Sequence, residues 1–138
     1  MFDSLFKNLG EKLSLQKAVS TLTDFDDKLK DVSKKFGYSG KQFDQANVAL
    51  GDLARNGARF GVTIEDAFAS FEQMSDALRT TNITTVSEYV KNLQNIPKAY
   101  GIAREEVMAL GGTLGFFGLS SEKTQKYFQL IAAQSKIY

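Results

Sequence analysis

The sequence predicts an all-α protein: an N-terminal heptad-patterned helix followed by a bundle of five or six short helices joined by glycine-marked elbows. Two observations carry this expectation. Apolar residues recur three and four positions apart along most of the chain, and no stretch alternates as a strand does. In addition, an aromatic residue, a glycine, an aliphatic residue and a short residue follow one another four times. These runs are Phe36-Gly37-Tyr38-Ser39 (with Tyr in the aliphatic slot), Phe60-Gly61-Val62-Thr63, Tyr100-Gly101-Ile102-Ala103 and Phe117-Gly118-Leu119-Ser120. Glycine accepts the left-handed conformation just past a helix end, and a Ser or Thr two places on caps the next helix. Each run therefore reads as one helix ending and another beginning.

The elements follow in order. Residues 2–9 form a short amphipathic piece with Phe2, Leu5 and Phe6 on one side, ended by Gly10. From about Glu11 to Phe36 a helix runs without a breaker, with Leu15, Ala18, Leu22, Phe25, Leu29, Val32 and Phe36 alternating three and four apart. That spacing is a heptad seam, and two readings of it stand. Leu15, Leu22, Phe25, Leu29 and Val32 form either a self-associating coiled coil or docking arm, or the core-facing side of one helix in the bundle. Residues 1–36 are accordingly taken as an arm and 37–138 as a compact helical domain.

A helix from about Gly40 to Arg55 aligns Phe43, Ala46, Leu50 and Leu53, and Asn56-Gly57 marks a stop or kink. Thr63 opens the next, to about Thr80, with Ile64, Ala67, Phe68, Phe71, Met74 and Leu78 inward and Glu65 and Asp66 in the first turn. Thr85-Val86-Ser87-Glu88 is a capping box starting a helix that bears Val86, Tyr89, Val90 and Leu93. Pro97 ends that helix near Asn95, and residues 97–100 form one more turn. Two helices remain, from about Ala103 to Phe116 and from about Ser121 to Lys136. The second carries the stripe Thr124, Tyr127, Phe128, Ile131 and Ala132.

Composition removes whole classes of function. A chain of 138 residues with 43% hydrophobic content buries a real core in one domain. Seventeen Lys and Arg against sixteen Asp and Glu give a net charge of +1, against a dedicated nucleic-acid binder. Without Cys or His there is no thiol nucleophile, no Ser-His-Asp arrangement and no usual zinc or iron ligand. No secretory leader is visible at Met1-Phe2-Asp3. The longest nearly uncharged apolar run, Val107 to Leu119, falls short of the roughly 20 residues that cross a bilayer.

Candidate chemistry is sparse. Asp24-Phe25-Asp26-Asp27 lacks the glycine turn and terminal Glu of a calcium loop and reads as a solvated helix face. The cluster Lys28, Lys30, Lys34, Lys35 and Lys41 is offset by Asp24, Asp26, Asp27 and Asp31. A helix-turn-helix over 40–80 would start its reading helix with Glu65-Asp66, against an approach to DNA. Gly111-Gly112-Thr113-Leu114-Gly115-Phe116-Phe117-Gly118 lacks the Lys-Ser/Thr pair of a phosphate loop. Gly111 and Gly115 do form a small-x-x-x-small pair that lets another helix approach. With Phe116 and Phe117 they mark close helix packing, within the fold or against a neighbouring copy, or a transient membrane contact. Three glycines inside a helix cost about 1 kcal/mol each against alanine, so something must offset them. No catalytic, cofactor-binding or metal-binding residues are expected, and the chain is read as not an enzyme.

The run Tyr100-Gly101-Ile102-Ala103-Arg104-Glu105-Glu106-Val107-Met108-Ala109-Leu110-Gly111, followed by Phe117-Gly118-Leu119-Ser120-Ser121-Glu122-Lys123-Thr124, resembles bacteriophage tail tape-measure proteins. There, short helices end in Gly-aliphatic-Ser/Thr and restart with acids. Phe60 to Phe68 and Phe36 to Ser39 follow the same style, and the likeness covers about residues 36–137. The resemblance implies a structural virion protein of the tail lumen or tip, found in the host cytoplasm during assembly. It would self-associate in a few copies and dock to tail-tube or baseplate-hub proteins. Fully helical, the chain would span at most about 200 Å, short for a tail ruler. The resemblance therefore implies the terminal portion of a longer protein, or a small tail or baseplate protein in the same style; Ile137-Tyr138, directly after an apolar stripe, fits the former. The alternative is a small helical adaptor or regulatory protein that binds a partner through the 15–36 helix face.

Overall fold

Helix ends in this chain are set by local backbone chemistry, and the computed structural model describes them for residues 22–135. The heptad helix appears as α1, over 22–36. Then come α2 (Lys41–Ala58), α3 (Ile64–Leu78), α4 (Ile83–Leu93), α5 (Ile96–Tyr100), α6 (Arg104–Phe116) and α7 (Ser121–Ser135). No strand occurs among the described residues. The amphipathic piece at 2–9, Leu15 and Ala18 lie outside them.

All four elbow glycines are left-handed, with φ of 74° at Gly37, 74° at Gly61, 67° at Gly101 and 97° at Gly118. The caps vary more. Thr63 Oγ1 accepts from the Asp66 N–H at 3.1 Å, and Ser120 Oγ from the Lys123 N–H at 3.3 Å. Ala103 has no side-chain oxygen to offer, and Ser39 gives way to Gly40, which opens α2 at φ 58° without a side-chain cap.

Two boundaries differ from expectation. The capping box at Thr85 is not where α4 begins: Asn82 is the cap, its side chain accepting from the Thr85 N–H at 3.0 Å. Nor does Asn56-Gly57 stop α2, which continues to Ala58. Gly57 is buried, and a Cβ there would lie 3.0 Å from both Gln94 Nε2 and Val62 Cβ. Asn56 Nδ2 donates to Gln94 Oε1 at 2.7 Å, while Gln94 Nε2 donates to the Leu53 carbonyl at 3.0 Å. The dipeptide is thus a close helix contact as well as the lead into the turn, where the Gly57 carbonyl accepts from the Phe60 and Val62 N–H groups at 2.9 Å.

The inner stripes of these helices meet in one core. Phe71, Leu50, Leu53, Met74, Val86, Val90, Leu93, Ile96 and Met108 are its most enclosed large side chains. α3 packs on α2, α4 and α6, and α4 packs on α2, α3, α6 and α7, so α3 and α4 form the hub. Leu29 and Val32 of α1 belong to the same core. Phe25 meets Phe68 edge-on at 5.4 Å between ring centroids, and Phe36 leans on Phe71 at 6.1 Å. The core therefore runs across the boundary expected at residue 36.

Two tyrosines tie distant turns to this core. The Tyr38 hydroxyl donates to the Thr81 carbonyl at 2.5 Å, and the Tyr89 hydroxyl donates to the Leu119 carbonyl in the last elbow. Burial raises the pKa of both above 10.0, with Glu88 adding to the rise at Tyr89. The folded protein thus favours the neutral phenols, while the unfolded chain ionises near 10. Their contribution is full below pH 10 and is lost as pH rises through the raised values. Denaturant midpoints measured across that range should fall more steeply for the wild type than for the Tyr38→Phe/Tyr89→Phe double variant. Parallel slopes would refute the assignment.

Candidate functional site

α6 has little room for side chains on its inner face. A Cβ on Gly111 would lie 2.4 Å from Leu93 Cδ1 of α4, and one on Gly112 would lie 2.2 Å from Ala77 Cβ of α3. At Gly115 it would meet Leu78 Cδ2 at 2.6 Å and Tyr89 Cε1 at 2.7 Å. Real Cβ atoms do not approach so closely, so the glycines are what seat α6 between α3 and α4. Gly111 and Gly115 make this close approach inside the chain. The i, i+4 rule follows one helix face and so passes over Gly112, the tightest of the three, which serves the adjoining face. The Gly111-Gly112 doublet is the sequence signal for it.

The opposite side of α6 is also apolar. Leu110 is 39% exposed, Phe116 48% and Phe117 79%, while Leu114 is half-buried. The Phe116 and Phe117 rings lie edge-on at 5.5 Å, and the Arg79 guanidinium sits 5.1 Å over the Phe116 ring. Arg79 ends α3 in the left-handed conformation with φ 56°, the only non-glycine residue with positive φ among the described residues. On α7 the buried stripe is Ser121, Thr124, Phe128 and Ala132. Tyr127 and Ile131 of the same apolar run are exposed alongside Leu130. They flank the buried stripe instead of forming it.

Along the seam, Leu22 is at the surface, Phe25 is half-buried, and Leu29 and Val32 are inside the core. Leu22 and Phe25 line an open groove between α1 and α2 with Val48, Ala54 and Ile64, and Asp26 and Arg55 stand beside it. The charged residues of α1 lie mostly on its exposed side, where Lys35 pairs with Glu72 at 3.6 Å.

One polar cluster joins α3 to the start of α6. Arg104 Nη1 donates to Ser70 Oγ at 3.1 Å, Nη2 pairs with Glu105 at 2.9 Å, and Nε lies 3.9 Å from Asp66. Gln73 Nε2 donates to the Glu105 carbonyl at 2.9 Å. These contacts fix the angle of α6 on α3. Among the described residues no group of three or more acids converges as a metal site, and no helix is long and apolar enough to cross a membrane. No family model, curated protein or solved structure matches this chain.

Proposed function

We propose that the chain is a structural protein of a phage tail, tape-measure-like, which self-associates and docks to the tail tube or baseplate hub during assembly. The observation that carries this reading is the repeated elbow, with glycine left-handed in all four instances. It is the feature on which the likeness to tape-measure proteins rests. In this reading the protein acts by fitting against other chains, without catalysis or a cofactor. An antibody against the purified protein should label intact particles at the tail or its tip. Particles free of label, with the protein retained in host cytoplasm, would overturn it.

The adaptor reading draws on the α1–α2 groove, where Leu22 is 65% exposed and Val48 64%. Leu22→Asp distinguishes the two. Assembly through the seam predicts a lower mass in solution for the variant. A monomeric wild type that Leu22→Asp leaves unchanged favours the adaptor.

A further inference from the structure

We propose that the outer face of α6 and α7 is a homodimer interface, on which a second copy of the chain packs antiparallel across a two-fold axis. The chain doubles back at the elbow 117–120, so that Thr124 Cγ2 lies 3.6 Å from the position of a Cβ on Gly111. Helical spacing puts Leu110 and Leu114 on one stripe of α6, with Phe117 following at its C-cap, and Tyr127, Leu130 and Ile131 on one stripe of α7. Five of the six are exposed and Leu114 is half-buried, which concentrates most of the described chain's exposed large apolar side chains on one hairpin. A contiguous apolar face of this kind marks an interaction surface.

Charge decides what covers it. Glu106 continues the α6 stripe at the end remote from the elbow, and Lys123 begins the α7 stripe beside the elbow. Both are exposed, and neither takes part in the ion pairs of the described residues. The face is thus mostly apolar, with acidic Glu106 at one end and basic Lys123, followed one turn on by exposed Lys126, towards the other. A two-fold axis through its centre sets each end of one copy on the opposite end of the other. Glu106 then meets Lys123 of the second copy twice, and like apolar side chains meet in between. Isologous dimers are built on such self-complementary patches. This surface is separate from the α1 seam, and its argument does not depend on the tail reading.

The test uses the full chain in a Leu22→Asp background, which removes association through the seam. Sedimentation equilibrium over about 1–100 µM should show a monomer–dimer equilibrium, the weak end of the affinities that interfaces of ordinary size reach. Phe117→Asp or Leu130→Asp should each raise the dissociation constant about thirtyfold or more, as for interface hot spots. Glu106→Lys and Lys123→Glu should each raise it about two- to fivefold, the size of an exposed ion pair, and the double exchange should restore it. Circular dichroism checks that each variant is folded. If an aspartate variant unfolds, the charge exchange, made at exposed positions, decides alone. A monomer throughout, a dimer indifferent to Phe117→Asp and Leu130→Asp, or a double exchange weaker than either single would overturn the interface. Loss of all association in the Leu22→Asp background assigns self-association to α1 and leaves the tail reading standing. A dimer in that background, with no label on tails, leaves this interface standing without the tail reading.

Discussion

Gly112→Ala should destabilise the protein by about 2 kcal/mol, although alanine gains about 1 kcal/mol in helix propensity over glycine. The new methyl group would stand 2.2 Å from Ala77 Cβ and 3.4 Å from Ala77 Cα, with Met74 Sδ at 3.3 Å. Ala77 has no rotamer with which to yield, so α3 and α6 must part, and theirs is the most extensive pairing among α2–α7. For a domain of this size the loss corresponds to a melting temperature lower by about 8 °C. Gly51→Ala is the control. Its Cβ would meet Arg55 Nη1 at 3.7 Å and Phe25 Cζ at 4.0 Å, which is ordinary contact, so that variant should melt at or above the wild-type temperature. Thermal unfolding of the pair checks both. A Gly112→Ala protein as stable as the wild type would mean that α6 does not depend on its glycines for its seat.

Phe71→Ala should cost about 3–5 kcal/mol, the range for emptying a buried aromatic site. Phe71 is fully buried in the middle of α3, and its ring is where Phe36 leans in from α1. The cavity would remove apolar contacts from α3 and the support of α1 together. Against a total stability of about 5–15 kcal/mol this is a large fraction, and the denaturant midpoint should fall accordingly with an unchanged slope. Protease cleavage near the 37–40 elbow should also accelerate as α1 loosens. A variant within 1 kcal/mol of the wild type, to order of magnitude, would remove Phe71 from the centre of the core.

Helices were legible in this sequence because their punctuation is strong. A glycine between an aromatic and an aliphatic residue leaves few alternatives to a left-handed stop, and all four elbows are built that way. Caps were harder to read. Asn82 and Thr85 lie three residues apart, both suit a helix start, and only the position of Ile83 in the core selects the first. Asn56-Gly57 has the local chemistry of a turn and does lead into one, but its contact with Gln94, nearly forty residues away, has no local signal.

The candidate surfaces show the same limit. A seam of Leu22, Phe25, Leu29 and Val32 has one period whether it faces a second chain or its own core. The sequence therefore left two readings, and Leu29 and Val32 lie inside the core. On α7 the inward stripe is a single row, Ser121, Thr124, Phe128 and Ala132, so spacing alone does not separate Tyr127 and Ile131, one step to the side of it, from Phe128. α6 is apolar on both sides, and periodicity alone does not say which side is covered. Its glycines resolve this once their neighbours are known, because only one side is too crowded for side chains.

The ring contacts of Phe25 and Phe36 at two points along α1 have a mechanical consequence. Clamped twice on the same helix, α1 cannot pivot about either contact without breaking the other. Over 22–36 the helix serves as a rigid bracket, and a load applied to it is carried straight into α3.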